Sequence, residues 1–240
     1  MKKFISTLFI ATSVFATSTL NFYCGSTMSK AMRELANKFE EQMNVKIVIT
    51  KGGSGKLYRE LIKMKDVDLY LPGAASYINN DTNNLFTYKK LIGYNKAVIL
   101  VQKGNPKNIK DLNAFNKPNI KIVIGHKKSG SVGKIAKKIL TLFKGEEFYE
   151  QVYKRAIKAP TSLEIVQALK NKQADVSINW KAVVFMDDNE EYLDYINIPY
   201  IAPKQKLFLT VTKYSKHPML AKSFVNFVFK HKSFLKKKGF

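Results

Sequence analysis

The sequence has a single cysteine, Cys24, so no disulfide can form within one chain. The residues before it, Leu20-Asn21-Phe22-Tyr23, are not the small residues that precede a lipid-modified cysteine. We therefore interpret Cys24 as a buried thiol on a core strand. Any export of the chain has to be indicated by other features.

Acidic residues are also scarce, since 18 Asp and Glu stand against 41 Lys and Arg, giving a formal net charge of +23. The lysines are spread along the chain, and arginine occurs only at Arg33, Arg59 and Arg155. Nucleic-acid-binding modules usually concentrate arginine and stacking aromatic side chains on one face, so we expect no nucleic-acid partner. Two interpretations of the lysine excess stay open, namely a field that attracts anionic ligands and a lysine-rich genome composition.

Long apolar runs are missing after residue 16, so no membrane-spanning helix is predicted. Residues 1–16 have the pattern of a secretory signal: Lys2 and Lys3, then an apolar stretch that is too short to span a bilayer, then a small-residue cleavage site at Val14-Phe15-Ala16. Cleavage there leaves 224 residues beginning at Thr17, with a formal net charge reduced from +23 to +21. We predict a periplasmic protein with a signal peptide at 1–16.

Strand-like and helix-like segments alternate through the rest of the chain. Two runs of β-branched and aromatic residues, 20–24 and 45–50, flank a segment whose apolar residues recur at helical spacing. Further strands are predicted at 67–71, 97–101, 120–124, 175–180 and 207–212. This alternation predicts an α/β fold with doubly wound lobes and mixed, mostly parallel sheets.

The length fits two small lobes with a ligand cleft between them. Turn-rich segments at Gly93–Lys96 and Pro199–Pro203 are the places where we expect the chain to cross from one lobe to the other. The first lobe is then discontinuous, 17–94 with 201–240, and the second lobe is 95–200.

Three turns share a pattern in which a strand ends, glycine turns the chain, serine follows and a helix begins. They are Gly25-Ser26-Thr27, Gly53-Ser54-Gly55 and Gly130-Ser131-Val132. The first N–H groups of a helix lack backbone partners and attract anions, and glycine lets an anion approach the backbone. The pattern indicates an anion site at the carboxyl ends of the strands. The alternative is that each serine only caps its own helix.

Catalysis and metal binding find no support in the sequence. His126, His217 and His231 are far apart and have no metal-ligand spacing, so we expect no direct side-chain metal ligands. The segment 52–56 lacks the final glycine of a Gly-x-Ser-x-Gly elbow. We expect no catalytic residues and no cofactor, although a secreted enzyme on the same scaffold is the alternative from another functional class.

In the order of its motifs from about Leu20 to Phe240, the chain resembles the periplasmic molybdate-binding proteins of ABC transporters, which have the type II periplasmic-binding fold. The motifs are Gly52-Gly53-Ser54-Gly55, Asp68–Leu71, Lys103–Pro106, Ala174-Asp175, His217-Pro218, Ala221–Phe224 and Lys238–Phe240. The resemblance implies a monomer that binds molybdate or tungstate and delivers it to a permease in the membrane.

The resemblance also implies which residues hold the ligand. Serine hydroxyls and backbone amides of four loops would fall at Ser26, Ser54, Ser131 with Val132, and Ser162, and the family's tyrosine falls on Trp180. Secondary candidates in the same segments are Gly25, Thr27, Gly53, Ser129, Thr161 and Asn179.

Two features depart from the family pattern. Trp180 can donate only through its ring N–H, and the third loop carries Ser129-Gly130-Ser131 where relatives commonly have proline. An alternative cargo on the same fold is therefore a sulfate- or phosphate-like anion, a small organic anion or a metal–anion complex.

Overall fold

The computed structural model describes residues 18–128, 130–198 and 204–240. The predicted signal peptide at 1–16, Ser129 and the predicted second crossing at 199–203 lie outside the described residues. Within the described ranges, no helix is long and apolar enough to cross a membrane.

The strands form three sheets in the described part of the chain. Their bounds are β1 Ser18–Gly25, β2 Val45–Gly52, β3 Leu69–Leu71, β4 Phe86–Asn95, β5 Ala97–Gln102, β6 Val123–Gly125, β7 Ile157–Ala159, β8 Val176–Trp180, β9 Leu193–Asn197 and β10 Gln205–Thr212. The strand orders are β2-β1-β3-β10-β4, β8-β5-β9 and β6-β7.

Helices connect these strands and cover the sheets. The α-helices are α1 Ser29–Met43, α2 Ser54–Met64, α3 Ser76–Asn79, α4 Ser131–Arg155, α5 Ser162–Lys170, α6 Asn189–Tyr192, α7 Pro218–Lys230 and α8 Lys232–Lys237. α4 is kinked by non-helical backbone at Lys144 and Gly145. Short 3-10 helices occupy Ser26–Met28, Leu112–Asn116 and Lys181–Phe185.

The five-stranded sheet is the centre of the first lobe. β1 pairs in parallel with β2 and β3, and its alternate residues Leu20, Phe22 and Cys24 are fully buried. They pack in one apolar core with the inner faces of α1 and α7, where the rings of Phe39 and Phe224 meet with centroids 5.2 Å apart. The interpretation of Cys24 as a buried thiol on a core strand is confirmed.

The second lobe is built around β5, which is buried along almost its whole length. β5 pairs antiparallel with β8 and β9, and β6 pairs in parallel with β7. The apolar faces of α4 and α5, which include Ile139 and Ile165, share a separate core with these strands. Two cores of this kind are what a two-lobed molecule requires.

The chain passes from the first sheet to the second within one residue. β4 ends at Asn95 and β5 begins at Ala97, so Lys96 alone separates strands of different sheets. The lobe boundaries of 17–94 with 201–240 and 95–200 stay a prediction, because the segment proposed for the return crossing is not among the described residues.

Two buried aspartates anchor the starts of strands in the two lobes. Asp68 accepts hydrogen bonds from the Asn21 backbone N–H (2.8 Å) and the Ser215 hydroxyl (2.6 Å). Asp175 accepts one from the Lys121 backbone N–H at 2.8 Å. These carboxylates hold neighbouring chain segments together, which explains their place in the sequence motifs without a role in ligand binding.

The α/β class with mixed sheets is confirmed, but antiparallel pairing is more extensive than predicted. β4 and β9, which sequence patterns did not reveal, are edge strands that pair antiparallel with β10 and β5. An edge strand has one solvated side and tolerates charges such as Lys89 and Lys90 in β4. Such strands lack the continuous apolar run by which buried strands are recognised.

Candidate functional site

Serine-bearing turns at the carboxyl ends of four strands meet in one cavity between the lobes. Two of the turns follow β1 and β2 of the first lobe, and two follow β6 and β7 of the second. The empty volume of the cavity is about 270 Å³. Its lining consists of Gly25, Ser26, Thr27, Met28, Gly52, Gly53, Ser54, Gly73, Gly130, Ser131, Val132, Pro160, Thr161 and Ser162.

Three helices point their N-termini at this cavity. α2, α4 and α5 begin at Ser54, Ser131 and Ser162, and none of their N-cap residues makes a side-chain cap hydrogen bond. Each serine is the first helical residue and does not cap its own helix, so the alternative of a purely capping role loses support. The unpaired N–H groups of the first turns are left for a guest.

The serine hydroxyls at the cavity wall are also available. Ser26, Ser131 and Ser162 are 8%, 8% and 5% exposed, and among the described residues their hydroxyls have no hydrogen-bond partner. A hydroxyl that has no partner within the protein can donate its proton to a ligand or to water. Three hydroxyls from both lobes are thus ready to donate to the same guest.

Ser54 is held on both sides by its neighbours. Its Oγ accepts a hydrogen bond from the Gly73 backbone N–H at 2.9 Å, and its carbonyl oxygen accepts one from the Tyr70 hydroxyl at 2.8 Å. Because the Ser54 oxygen acts as an acceptor, the hydroxyl proton remains free to be donated into the cavity. Burial raises the pKa of Tyr70 well above its ordinary value, so this tyrosine keeps its proton.

Asn179 and Trp180 do not line the cavity. The Asn179 side-chain amide donates to the Ser162 carbonyl oxygen at 3.0 Å and accepts from the Trp180 backbone N–H at 2.8 Å. Trp180 is 1% exposed and packs in the core of the second lobe. Asn179 therefore positions the fourth loop, and a direct ligand contact by either residue stays a prediction.

The Thr161 hydroxyl is less available to a ligand than its place in the lining suggests. Its hydroxyl donates to Glu164 Oε2 at 2.5 Å, so the hydroxyl proton is committed within the protein. The other predicted residues that the structure brings to the lining are Ser26, Ser54, Ser131, Val132 and Ser162, with Gly25, Thr27 and Gly53. Ser129 lies outside the described residues.

Gly73 is a lining residue that the sequence analysis missed. It follows β3 in Pro72-Gly73-Ala74, a turn without serine. The search for glycine–serine turns therefore passed over it, whereas the position alone, at the carboxyl end of a central parallel strand, was a usable signal.

The cavity is uncharged although the chain is strongly basic. None of the described lining residues carries a charged side chain. The described part of the chain also contains no group of three or more His, Cys, Asp or Glu that could hold a metal ion. Favourable electrostatics for an anion must come from N–H and O–H dipoles.

A larger groove opens beside the cavity and has lysines in its wall. Its empty volume is about 850 Å³, and it is lined by Ser26, Lys51, Gly52, Gly53, Lys56, Pro160, Thr161, Leu163, Glu164 and Gln167. Lys56 lies 3.7 Å from Glu60, while Lys51 forms no ion pair with any described residue. The groove can accommodate the remainder of a ligand whose anionic end occupies the cavity.

Residues 20–240 match the model of a family described as bacterial extracellular solute-binding proteins. This chain belongs to that family. A relative from Haemophilus influenzae, described as a putative binding protein, is 23% identical over an alignment of 240 residues that covers 95% of this chain and 92% of the relative.

Solved structures of other solute-binding proteins share the fold. The periplasmic molybdate-binding protein of Azotobacter vinelandii has a TM-score of 0.77 at 14% identity, covering 92% of this chain and 97% of that one. The periplasmic binding protein AfuA from Actinobacillus pleuropneumoniae, with fructose-6-phosphate bound, has a TM-score of 0.78 at 16% identity, covering 93% and 83%. Such identities show the two-lobed fold of a solute-binding protein and leave the ligand open.

Proposed function

We propose that this solute-binding protein captures a tetrahedral oxyanion in its doubly charged form and delivers it to the permease of an ABC importer. Molybdate and tungstate are the first candidates. The observation that carries the proposal is the meeting of four serine-bearing turns, two from each lobe, around one uncharged cavity.

The donors of the cavity suit an anion. Helix N-termini and free hydroxyls present hydrogen atoms, and each helix end contributes about 0.3 to 1 kcal/mol of favourable interaction with a negative charge. Hydrogen bonds to a charged acceptor are roughly twice as strong as those between neutral groups. A guest with four oxygen atoms can take hydrogen bonds from all four turns together.

The described lining favours a fully deprotonated anion. A hydrogen phosphate ion carries an O–H that needs an acceptor, and the described lining residues include no carboxylate, so that only hydroxyl and backbone oxygens could accept it. Molybdate, tungstate and sulfate have only acceptor oxygens. They can be surrounded by donors without leaving a buried group unsatisfied.

The size of the cavity also favours a small guest. Pockets for drug-sized ligands have volumes of about 300 to 1,000 Å³, whereas the space in this cavity that the centre of a water molecule can occupy is only about 20 Å³. Molybdate and tungstate rank above sulfate because of the resemblance in motif order.

A second candidate is a phosphate monoester, which the groove beside the cavity supports. The phosphate group would occupy the serine cavity, and its organic part would lie in the groove near Lys51 and Lys56. A monoester phosphate can also be a dianion without an O–H. The fructose-6-phosphate bound to AfuA is an example of such a ligand in the same fold.

Titration calorimetry on the purified chain tests the proposal. The ligands are molybdate, tungstate, sulfate, phosphate and fructose 6-phosphate, each followed also by the thermal shift of unfolding. We expect the tightest binding for molybdate or tungstate, and tighter binding of the ester would favour the second candidate. Absence of binding and of thermal shift with all five ligands would contradict the proposed function.

The titration is repeated with Ser162→Ala, which removes a hydroxyl from the cavity, and with Ser223→Ala as the matched control. Ser223 lies on the exposed side of α7 and donates to the Met219 carbonyl oxygen at 3.0 Å, away from the cavity. We expect Ser162→Ala to weaken binding and Ser223→Ala to leave it unchanged. Export to the periplasm and a monomeric state are parts of the same proposal.

A further inference from the structure

Gly73 marks a point where the two lobes approach so closely that a side chain would displace Ser131. A Cβ atom on Gly73 would lie 2.2 Å from Oγ and 3.1 Å from Cβ of Ser131. Gly73 belongs to the turn after β3 in the first lobe, whereas Ser131 begins α4 in the second lobe. The cavity wall is therefore completed by a contact between lobes at which a larger residue would force the Ser131 hydroxyl to rotate away and its Cβ to shift by a few tenths of an ångström.

Both peptide groups of Gly73 are fixed by hydrogen bonds. Its N–H donates to Ser54 Oγ at 2.9 Å, and its carbonyl oxygen accepts from Asn95 Nδ2 at 3.0 Å. Asn95 is fully buried at the end of β4. Held in this way, Gly73 cannot move aside to make room for a larger residue without losing these bonds.

The need for glycine here comes from space and not from backbone conformation. Gly73 is not among the residues with positive φ in the described chain. Alanine can therefore adopt the local backbone, and only Ser131 atoms would lie closer to its Cβ than an ordinary contact, since Asn95 Nδ2 would be 3.6 Å away.

Other contacts also join the two lobes. Lys134, one turn after Ser131, places its Nζ 4.0 Å from the ring centroid of Tyr77, and burial lowers the pKa of Lys134. On the α1 side, Lys30 pairs with Asp187. The Gly73–Ser131 contact therefore lies in an extended interface, where a change of spacing alters the whole closure.

We propose that Gly73 is the closure stop of this protein. The absence of a side chain lets Ser131 reach the cavity wall and sets how tightly the lobes shut around the guest. Gly73 is thus a positioning residue that acts on the anion through Ser131. This inference rests on the proposed oxyanion function.

A double-mutant cycle tests the inference, with sodium molybdate as the calorimetric probe and sodium sulfate as a second. The variants are Gly73→Ala, Ser131→Gly, Ser131→Ala and the double variant Gly73→Ala/Ser131→Gly. Overpacking a close contact predicts about 10- to 100-fold weaker binding for Gly73→Ala in the wild-type background. With the Ser131 side chain removed, we expect Gly73→Ala to weaken binding by no more than about twofold.

Small-angle X-ray scattering separates closure from the loss of one hydroxyl. We expect the probe to reduce the radius of gyration of the wild-type protein and of Ser131→Ala, and to reduce that of Gly73→Ala less. The matched control is Gly93→Ala on β4, outside the cavity lining, where a Cβ would meet Phe240 Cβ at an ordinary 3.4 Å. This variant should bind and compact like the wild type, and thermal unfolding verifies that every variant is folded.

The outcomes distinguish the inference from the function on which it rests. A wild-type protein that binds neither probe overturns both. If the wild type binds and Gly73→Ala binds equally well, or loses the same factor in both backgrounds, the closure stop alone is wrong. Normal compaction of Gly73→Ala together with an affinity no weaker than that of Ser131→Ala also overturns it.

Discussion

The cavity and the groove beside it share five residues but differ in their chemistry. Ser26, Gly52, Gly53, Pro160 and Thr161 line both. The described lining of the cavity is uncharged and surrounds about 270 Å³, whereas the groove is lined by two lysines and a glutamate and extends over about 850 Å³. Although the formal net charge of the chain is +23, its charged side chains line the groove beside the cavity and not the described part of the cavity itself.

This difference shows how a basic protein can bind an anion without a counter-charge. Burying a lysine against the guest would require removing both ions from water, which costs several kcal/mol per ion. Neutral donors fixed on helix N-termini avoid that cost and impose geometry. Lysines at the entrance can still raise the rate of encounter through their field.

The largest expected loss of anion affinity comes from placing a negative charge in the cavity. Ser26→Asp would put a carboxylate beside a dianion, and each pair of unit charges 4 Å apart repels by about 4 kcal/mol at an effective dielectric constant of 20. We expect calorimetry to detect at least about 1,000-fold weaker molybdate binding. The neutral variant Ser26→Asn is the matched control, and comparable affinities of the two variants would show that the guest lies elsewhere.

Removal of one neutral donor has the next largest expected effect. Ser54→Ala should weaken anion binding by about 1 to 3 kcal/mol, since a charge-assisted partner is lost and the Gly73 N–H loses its acceptor. Calorimetry measures the affinity, and thermal unfolding shows how much stability is lost with it. An affinity equal to that of Ser223→Ala would leave Ser54 a purely structural role.

The groove is tested by Lys51→Ala, with Lys46→Ala as its control. Both lysines are exposed on β2, but only Lys51 lines the groove. Because exposed charges are screened, we expect molybdate affinity to change by less than about 0.5 kcal/mol in both variants. A larger loss of fructose 6-phosphate affinity in Lys51→Ala alone would support the monoester candidate, and equal effects of the two variants would exclude the groove from binding.

Changes of pH should have the smallest effect. The described lining contains no titratable side chain, and the raised pKa of Tyr70 keeps it neutral. Molybdate affinity should therefore vary by less than about twofold between pH 7 and 9. Tyr70 should reduce the stability of the fold only above its ordinary pKa of 10.0, where the unfolded chain releases the proton and the folded chain retains it. A steep dependence below pH 9 would contradict an uncharged site.

The features that sequence predicted best are those with a local physical cause. Glycine and serine between a strand and a helix indicated where Ser26, Ser54 and Ser131 would lie, and the cavity brings them together. The edge strands β4 and β9 were not predicted, because their pairing depends on distant segments. Gly73 was missed because its turn carries no serine, and its contact with Ser131 across the cleft joins segments that are far apart in the sequence.

Among the residues assigned from the resemblance, Ser162 lines the cavity, whereas a ligand contact by Trp180 stays a prediction. Trp180 was assigned to the family's tyrosine position, but it packs in the core of the second lobe. Asn179 was a candidate ligand contact, yet its amide holds the Ser162 carbonyl oxygen. Neighbours along a strand point to opposite faces, so sequence position alone does not decide which side chain reaches the cavity.

The central claim is that donors from four turns in two lobes share one dianion. A crystal structure grown with sodium molybdate tests it most directly, because the anomalous signal locates the molybdenum. The account predicts a single strong peak in the cavity, with oxygen atoms within hydrogen-bond distance of Ser26, Ser54, Ser131 and Ser162. A peak beside Lys51 and Lys56 in the groove, with the cavity holding only water, would contradict it.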